Sequence, residues 1–324
     1  MGELKQLGRH TIVRVLGRGA TSVVYEALDR QHHRAVAIKA VSKSAMIAEA
    51  QAADFPARFL RAVRSVAELS HPNIVSVYDF GEEGDIVYVV MELVHGQELQ
   101  QYLDRDELFP LPDVLGYMVQ LLSALEYVHS RGIIHCDVKP ANIMIDSSGR
   151  LKLGDFGLAR LLHDPESMQA QPLGGTPFYM SPEQILHAAV SPRSDIFAAG
   201  VVFYQLLTRR KPFIGEDVFG IQHKIVNEEH VPPSSVNKSL PKFLDRIVNK
   251  ALAKNPEQRY ARAGEFCDDV QRVLSREAMR TPGNEPRTTA RKQGGAGKSQ
   301  CRAGNKSAKA GKAVKAGKAG QHAR

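Results

Sequence analysis

His135-Cys136-Asp137-Val138-Lys139-Pro140-Ala141-Asn142, followed shortly by Asp155-Phe156-Gly157, is the stretch whose reading decides the fold. An acid, a lysine and an amide within six residues, then an acid beside a Phe-Gly turn, supply the parts needed to handle a metal-bound phosphate. Asp137 can accept or orient a hydroxyl proton, and Lys139 can neutralise charge on a phosphoryl group in flight. Asn142 and Asp155 are oxygen ligands of the kind Mg²⁺ prefers. Each fragment alone is weak, because an isolated Asp-Phe-Gly is usually only a turn. Their order and spacing carry the argument.

Upstream, Leu16-Gly17-Arg18-Gly19-Ala20-Thr21-Ser22-Val23-Val24-Tyr25 reads as a glycine-bearing turn. The β-branched and apolar runs Thr11 to Leu16 and Val23 to Leu28 flank it as strands. Glycine lets backbone N–H groups approach phosphate oxygens with no Cβ in the way. By itself such a loop is an ordinary hairpin. Val36-Ala37-Ile38-Lys39 follows, then the buried-strand run Tyr88 to Leu93, and later Gly175-Thr176-Pro177-Phe178-Tyr179-Met180-Ser181-Pro182-Glu183.

In this order the motifs resemble the eukaryotic-like (Hanks-type) serine/threonine protein kinases of bacteria. The resemblance runs from residue 11 to about 277. It implies an α+β, bilobal protein-kinase fold, with a small β-rich lobe over a larger α-helical lobe and nucleotide between them. It also implies transfer of the ATP γ-phosphate to Ser or Thr of protein substrates, the chain itself included, as a non-specific serine/threonine protein kinase. The cofactors implied are ATP and Mg²⁺, with Mn²⁺ as the alternative ion. The nucleotide loop would be Leu16, Gly17, Gly19 and Ser22, with Ser22 standing where the pattern has its third glycine. Val24 and Ala37 would roof the adenine, Met144 would floor it, and Lys39 would hold the α- and β-phosphates. Met91 would be the gatekeeper, with backbone groups of Glu92 and Val94 on the adenine edge. Glu98 falls where many kinases place an acid on the ribose hydroxyls, although it reads equally well as a solvated glutamate at a helix start. Asp137 and Lys139 would be catalytic, Thr176 would hydrogen-bond both, and Asn142 and Asp155 would hold metal. Asp195 would anchor the catalytic loop and Arg259 would pair with Glu183.

The implied division is a lead over residues 1–10, a small lobe over 11–93, a large lobe over 94–277 and a tail over 278–324. Residues 11 to 93 alternate like an antiparallel sheet with one helix, near Phe55 to Leu69. From about 96 onward the pattern is helical. Pro112 and Asp113 open a helix whose Val114, Met118, Leu121, Leu122, Leu125 and Val128 recur at helical spacing and read as core.

Charge separates the tail from the rest. The chain carries a formal net charge of +8. Residues 281–324 hold eleven Lys and Arg against the single acid Glu285, which leaves −2 for the remainder. The tail is mostly Lys, Ala, Gly, Ser and Arg, so it cannot bury enough apolar surface to offset chain entropy and reads as disordered. Residues 310–320 resemble the low-complexity basic tails of linker-histone-like bacterial proteins. Two readings of this tail stand side by side. One is non-specific attraction to nucleic acid or another polyanion; the other is a solvated segment without a partner.

No run approaches the roughly 18 to 20 apolar residues needed to span a bilayer, and Met1 to His10 does not resemble a secretory signal. Cys136, Cys267 and Cys301 form no paired spacing. These features point to a reducing, cytoplasmic setting.

Two departures from the family pattern matter. Cys136 stands where kinases switched by loop phosphorylation usually carry Arg to receive the phosphate, and cysteine cannot do so. Leu158 to Gly175 agrees, with Ser167 as its only hydroxyl. The second concerns the small-lobe helix, whose glutamate in the family pairs with the third-strand lysine. Counting back nine residues from His71-Pro72-Asn73-Ile74 puts that position at Ala62. This keeps an alternative open, a nucleotide-binding pseudokinase scaffold.

Overall fold

The structure, a computed structural model, describes residues 4–19, 22–50, 60, 63–105, 109–155 and 177–280. Ala62, Phe156, Gly157, Ser167, Thr176 and the tail 281–324 therefore lie outside the described residues.

The small lobe is built on an antiparallel sheet of six strands among the described residues, in the order β1-β2-β3-β4-β6-β5. They are β1 Gln6–Leu7, β2 His10–Arg18, β3 Ser22–Asp29, β4 Arg34–Ser42, β5 Val77–Glu83 and β6 Ile86–Glu92. Residues in a strand alternate between faces, and directly opposed partners share a face. Val23, Tyr25, Ala27, Val36, Ile38, Ala40 and Val90 pack on one face with Leu7. The register Gly17↔Val24, Val24↔Lys39 and Ala37↔Met91 then places Gly17, Val24, Ala37, Lys39 and Met91 on the other. Further along that second face, Val41, Val87 and Val89 pack on Met46 and on Val63 of a helical stretch at 63–67.

Two boundaries differ from expectation. Within the lead assigned to residues 1–10, Gln6, Leu7 and His10 already belong to the sheet. Gln6 and Leu7 pair with Thr11 and His10, and Leu7 is wholly buried, so its apolar side chain has core to gain by joining. At the other end, the last helix continues to Arg280 rather than stopping at 277. A further helix, α1 Lys43–Ala50, precedes the expected one. Its first turn is held by Asp85 from the β5–β6 turn, which accepts from the Ser44 N–H at 3.0 Å and from the Ser42 and Ser44 hydroxyls.

The segment after residue 96 is not purely helical. A small antiparallel sheet joins β7 Gly96–Glu98, β8 Ile143–Asp146 and β9 Leu151–Leu153. Ile143, Ile145, Leu151 and Leu153 enter the large-lobe core from one face. The register Glu98↔Met144↔Lys152 turns those three side chains to the other. Gly96 is required here, because a Cβ would sit 2.1 Å from the Ile145 carbonyl oxygen.

The large lobe contains α2 Leu99–Asp104, α3 Leu111–His129, α4 Pro182–Ile185, α5 Pro192–Thr208, α6 Val218–Asn227, α7 Pro233–Val236, α8 Phe243–Ala251 and α9 Ala263–Arg280. In α3 the apolar stripe is buried as its spacing requires, against α9 and α5. Each fully buried Leu of that stripe contributes about 1.5–3 kcal/mol. Helix α5 is buried from Ser194 to Thr208, which is why its sequence is apolar on every side. It begins at a capping box, Ser191 with Ser194, and Asp195 in its first turn reaches into the site.

Candidate active site

Asp195 builds the site from below. Its carboxylate, only 1% exposed, accepts the backbone N–H groups of His135 and Cys136 at 2.8 Å each, and Nε2–H of His129 at 2.8 Å. A buried carboxylate needs such donors to offset its desolvation. It spends two of them fixing the backbone just ahead of Asp137. Cys136 lies in the left-handed region at φ +62°, a conformation a residue with a Cβ adopts at a cost. Its N–H is held by Asp195, and its carbonyl accepts from Gln184 Nε2 at 3.0 Å.

His135 closes the loop from within. Its Nδ1 accepts the Asp137 N–H at 3.3 Å, so Nε2 carries the proton and donates to the Gly154 carbonyl at 3.1 Å. That bond ties the Asp137 loop to the residue preceding Asp155. Gly154 N–H donates to the Asn142 carbonyl at 2.9 Å and closes the same join.

Asp137, Lys139 and Asn142 converge. Asp137 Oδ2 accepts from Lys139 Nζ at 2.7 Å and from Asn142 Nδ2 at 2.9 Å. Asn142 Nδ2 also donates to the Asp137 carbonyl at 2.8 Å. Because the amide nitrogen faces Asp137, the amide oxygen of Asn142 is turned away from it and is available to a cation. Oδ1 of Asp137 receives no hydrogen bond among the described residues, and the side chain is 42% exposed.

Across the cleft, Lys39 Nζ meets Asp155 Oδ1 at 2.6 Å, with side-chain exposures of 21% and 41%. Among the described residues Asp155 is the only ion-pair partner of Lys39. Asp155 sits at φ +49°, in the left-handed region, directly after Gly154. Glu98 faces the same space from β7. Its carboxyl is pushed up by partial burial and by the negative charge of Asp155.

The nucleotide-loop positions are arranged less simply than a turn. Gly17 lies within β2 opposite Val24, and a register shift between Val15 and Gly17 makes Leu16 a bulge residue. The Gly19 N–H donates to the Ser22 carbonyl at 2.8 Å. A Cβ on Gly17 would meet no non-neighbouring atom of the described residues within 4 Å, so packing among them does not demand glycine there. The open space lies on the Lys39 face. Met91 is half-buried opposite Ala37, and Met144 is half-buried opposite Glu98. Glu92 gives its N–H to the Ser76 carbonyl at 2.8 Å, and its side chain pairs with Lys152. Val94 follows in the link after β6.

The scaffold pair expected at Glu183 and Arg259 is present. Arg259 donates to Glu183 Oε1 at 2.7 Å and Oε2 at 2.9 Å, and to the carbonyls of Ala253, Arg193 and Lys254. These contacts use all five N–H donors of the guanidinium. Burial pushes the Glu183 carboxyl up, and the Arg259 guanidinium with the Ser194 hydroxyl outweighs it, so the carboxyl titrates below its ordinary range.

Asp155 with Asn142 fits a divalent ion of the Mg²⁺ type. Both are hard oxygen donors, and such ions bind through one or two protein ligands with phosphates and water supplying the rest. Among the described residues no group of three or more His, Cys, Asp or Glu has metal-binding geometry. Sequence reasoning missed Gln184 and Lys152. Nothing in their local sequence marks them, because their partners are a backbone carbonyl and a glutamate distant in the chain.

Comparison with known proteins agrees with this geometry. The protein kinase domain family matches residues 10–271. The chain belongs to that family. A serine/threonine-protein kinase PknB of Mycobacterium leprae is 39% identical over 279 residues, covering 85% of this chain and 44% of the relative. A serine/threonine-protein kinase PrkC of Bacillus subtilis is 38% identical over 282 residues, covering 87% of this chain and 42% of the relative. The chain thus spans less than half the length of these relatives. No helix among the described residues is long and apolar enough to cross a membrane.

Proposed function

We propose that this chain is a serine/threonine protein kinase that transfers the ATP γ-phosphate to protein hydroxyls, its own included. The observation that carries the reading is the convergence of Lys139 and Asn142 on one oxygen of Asp137, while the second oxygen receives no hydrogen bond among the described residues. Asp137 Oδ1 orients the acceptor hydroxyl and takes up its proton as the phosphoryl group departs from ADP. Lys139 sits within reach of both the base and the phosphoryl oxygens, and neutralises charge that grows on them. Asp155 and Asn142 hold Mg²⁺, or Mn²⁺ in its place, which supplies charge neutralisation at the phosphates when bound. Lys39 exchanges Asp155 for the α- and β-phosphates. Val24 and Ala37 cover adenine, Met144 underlies it, Met91 closes the back of the pocket, and backbone groups of Glu92 and Val94 read its edge. Leu16, Gly17, Gly19 and Ser22 cover the phosphates, and Glu98 faces the ribose. Thr176 would tie the acceptor loop to Asp137 and Lys139.

The small and large lobes divide near residue 93, and the tail acts apart from both. With its net +10 it attracts nucleic acid or another polyanion without sequence preference. The compartment that suits three cysteines with no paired spacing in the sequence is the cytoplasm. The scaffold alternative rested on Ala62; what weighs against it is that Lys39, Asp137, Lys139, Asn142 and Asp155 are all present in the sequence. Incubation with γ-labelled ATP, Mg²⁺ and a generic basic acceptor protein tests the proposal. Label on Ser or Thr supports it, and nucleotide binding without any transfer to protein would return the scaffold reading.

A further inference from the structure

Lys152 is a cation 8% exposed on β9, with no role in the chemistry derived above. Its ammonium lies 2.8 Å from Glu92 Oε1 and 2.9 Å from Oε2, with side-chain exposures of 11% and 24% for the pair. Glu92 ends β6 and begins the link between the lobes. Its backbone N–H donates to the Ser76 carbonyl at 2.8 Å, and its Oε2 accepts from the Ser76 N–H at 3.3 Å. Ser76 belongs to a short segment that is itself stitched to β9. Leu153 N–H donates to the Asn73 carbonyl at 2.8 Å, Val75 N–H donates to the Leu153 carbonyl at 2.9 Å, and Asn73 Nδ2 donates to the Leu151 carbonyl at 2.8 Å. Gln120 Oε1 of α3 accepts from both Asn73 Nδ2 and Leu151 N–H. These bonds make a closed polar joint between the end of β6, residues 73–76 and β9. The strand that carries Lys152 runs straight on to Gly154 and Asp155.

We propose that Lys152 is a positioning residue for nucleotide: through Glu92 it fixes the end of β6 against the strand that delivers Asp155. The inference rests on the kinase reading of the cleft, because it assigns the Glu92 backbone to the nucleotide edge. Five other bonds of the joint connect backbone to backbone or amide to backbone and survive loss of the ammonium. Glu92 alone depends on it for charge. A partly buried carboxylate left without its cation turns toward water, and its backbone turns with it. The consequence falls on nucleotide affinity more than on the transfer step, since Lys139 and Asn142 bond Asp137 directly, and the backbone ahead of it is held separately by Asp195 at His135 and Cys136 and by Gln184 at Cys136.

The test is calorimetric titration of Mg-ATP into the full chain and its Lys152→Met and Lys152→Arg variants, with KM and kcat measured alongside. Lys152→Met should weaken Mg-ATP about tenfold and raise KM in proportion, a cost of about 1.4 kcal/mol. Its kcat at saturating nucleotide should stay within about threefold, about 0.65 kcal/mol of barrier. Lys152→Arg keeps the charge and should restore affinity. Wild-type affinity in folded Lys152→Met, or Lys152→Arg as weak as Met, would overturn the proposal. Should Lys152→Met not fold, Lys152→Met with Glu92→Gln leaves no stranded charge, and wild-type Mg-ATP affinity in that double variant would also overturn it. A wild type that binds Mg-ATP without transferring phosphate would sink the activity and leave the titration decisive. A wild type that binds no nucleotide would sink both.

Discussion

The cleft and the floor of the large lobe both hold an acid against a base, and they hold them in opposite ways. Arg259 and Glu183 are 0% and 7% exposed, every guanidinium donor is used, and Ser194 fills a further site on the carboxylate. Lys39 with Asp155, and Lys139 with Asp137, are between 21% and 42% exposed, and one oxygen of each acid is unbonded among the described residues. A dry, saturated pair has nowhere to go and fixes geometry. A wet, half-used pair can trade its partner for a phosphate, a metal ion or a hydroxyl. On the proposed reading, the difference separates reagents from scaffold within one fold.

The sharpest way to break that comparison is to remove one acid from each class. Asp155→Ala should abolish phosphotransfer and weaken Mg-dependent nucleotide binding, with the unfolding midpoint little changed, because its partner Lys39 is already open to water. Unchanged turnover would mean that the metal is held elsewhere. Arg259→Ala should do the reverse at the level of stability. It strands a buried carboxylate and should cost about 3–5 kcal/mol in denaturant unfolding. A loss under about 1 kcal/mol would show that the pair is less sealed than its hydrogen bonds imply.

The scaffold pair also carries a pH signature. Because the folded Glu183 carboxyl titrates below its ordinary value of 4.5, its stabilisation is present above that value and is lost as pH falls through the folded one. The stability gap between wild type and Glu183→Gln should therefore be full at neutral pH and close on acidification below about 4.5. A gap independent of pH would contradict the assignment.

What the sequence made legible was chemistry that works over short chain distances. Asp137, Lys139 and Asn142 lie in one loop, and they meet in space much as their spacing suggests. Lys39 and Asp155 are far apart in sequence, yet each sits in a motif whose neighbours announce it. Backbone conformation and long-range polar contacts were harder to read. Nothing in Cys136 shows that it must adopt a left-handed φ, and nothing in Gln184 shows that its amide will support that turn. The β7–β9 sheet escaped because its strands are three or four residues long, too short for a period of two to stand out. Gly17 looked like a turn residue but lies in a strand, where the bulge at Leu16 absorbs the irregularity.

Smaller effects refine the comparison. Ala62→Glu should leave or raise activity, since Lys39 has Asp155 as its only ion-pair partner among the described residues and would gain a second. A large loss in a steady-state assay would mean that another acid already fills that place. Deleting residues 281–324 should leave unfolding and turnover unchanged while nucleic-acid retention collapses, most visibly at low salt. Equal retention by both forms would make the tail a solvated segment only. Ser167→Ala should change the rate least. A drop of about a hundredfold, about 2.7 kcal/mol in the barrier, would make loop phosphorylation the switch.

The central claim is that the open oxygen of Asp137 is a reagent. Transfer of label from γ-labelled ATP, measured for wild type and Asp137→Asn with melting curves recorded on the same samples, tests it most directly. The account predicts phosphoserine and phosphothreonine from the wild type. For Asp137→Asn it predicts a loss of about 10²–10⁴-fold, with nucleotide affinity and melting temperature close to wild type. An Asp137→Asn variant that transfers phosphate at the wild-type rate, or a wild type whose main product is phosphotyrosine, would contradict it.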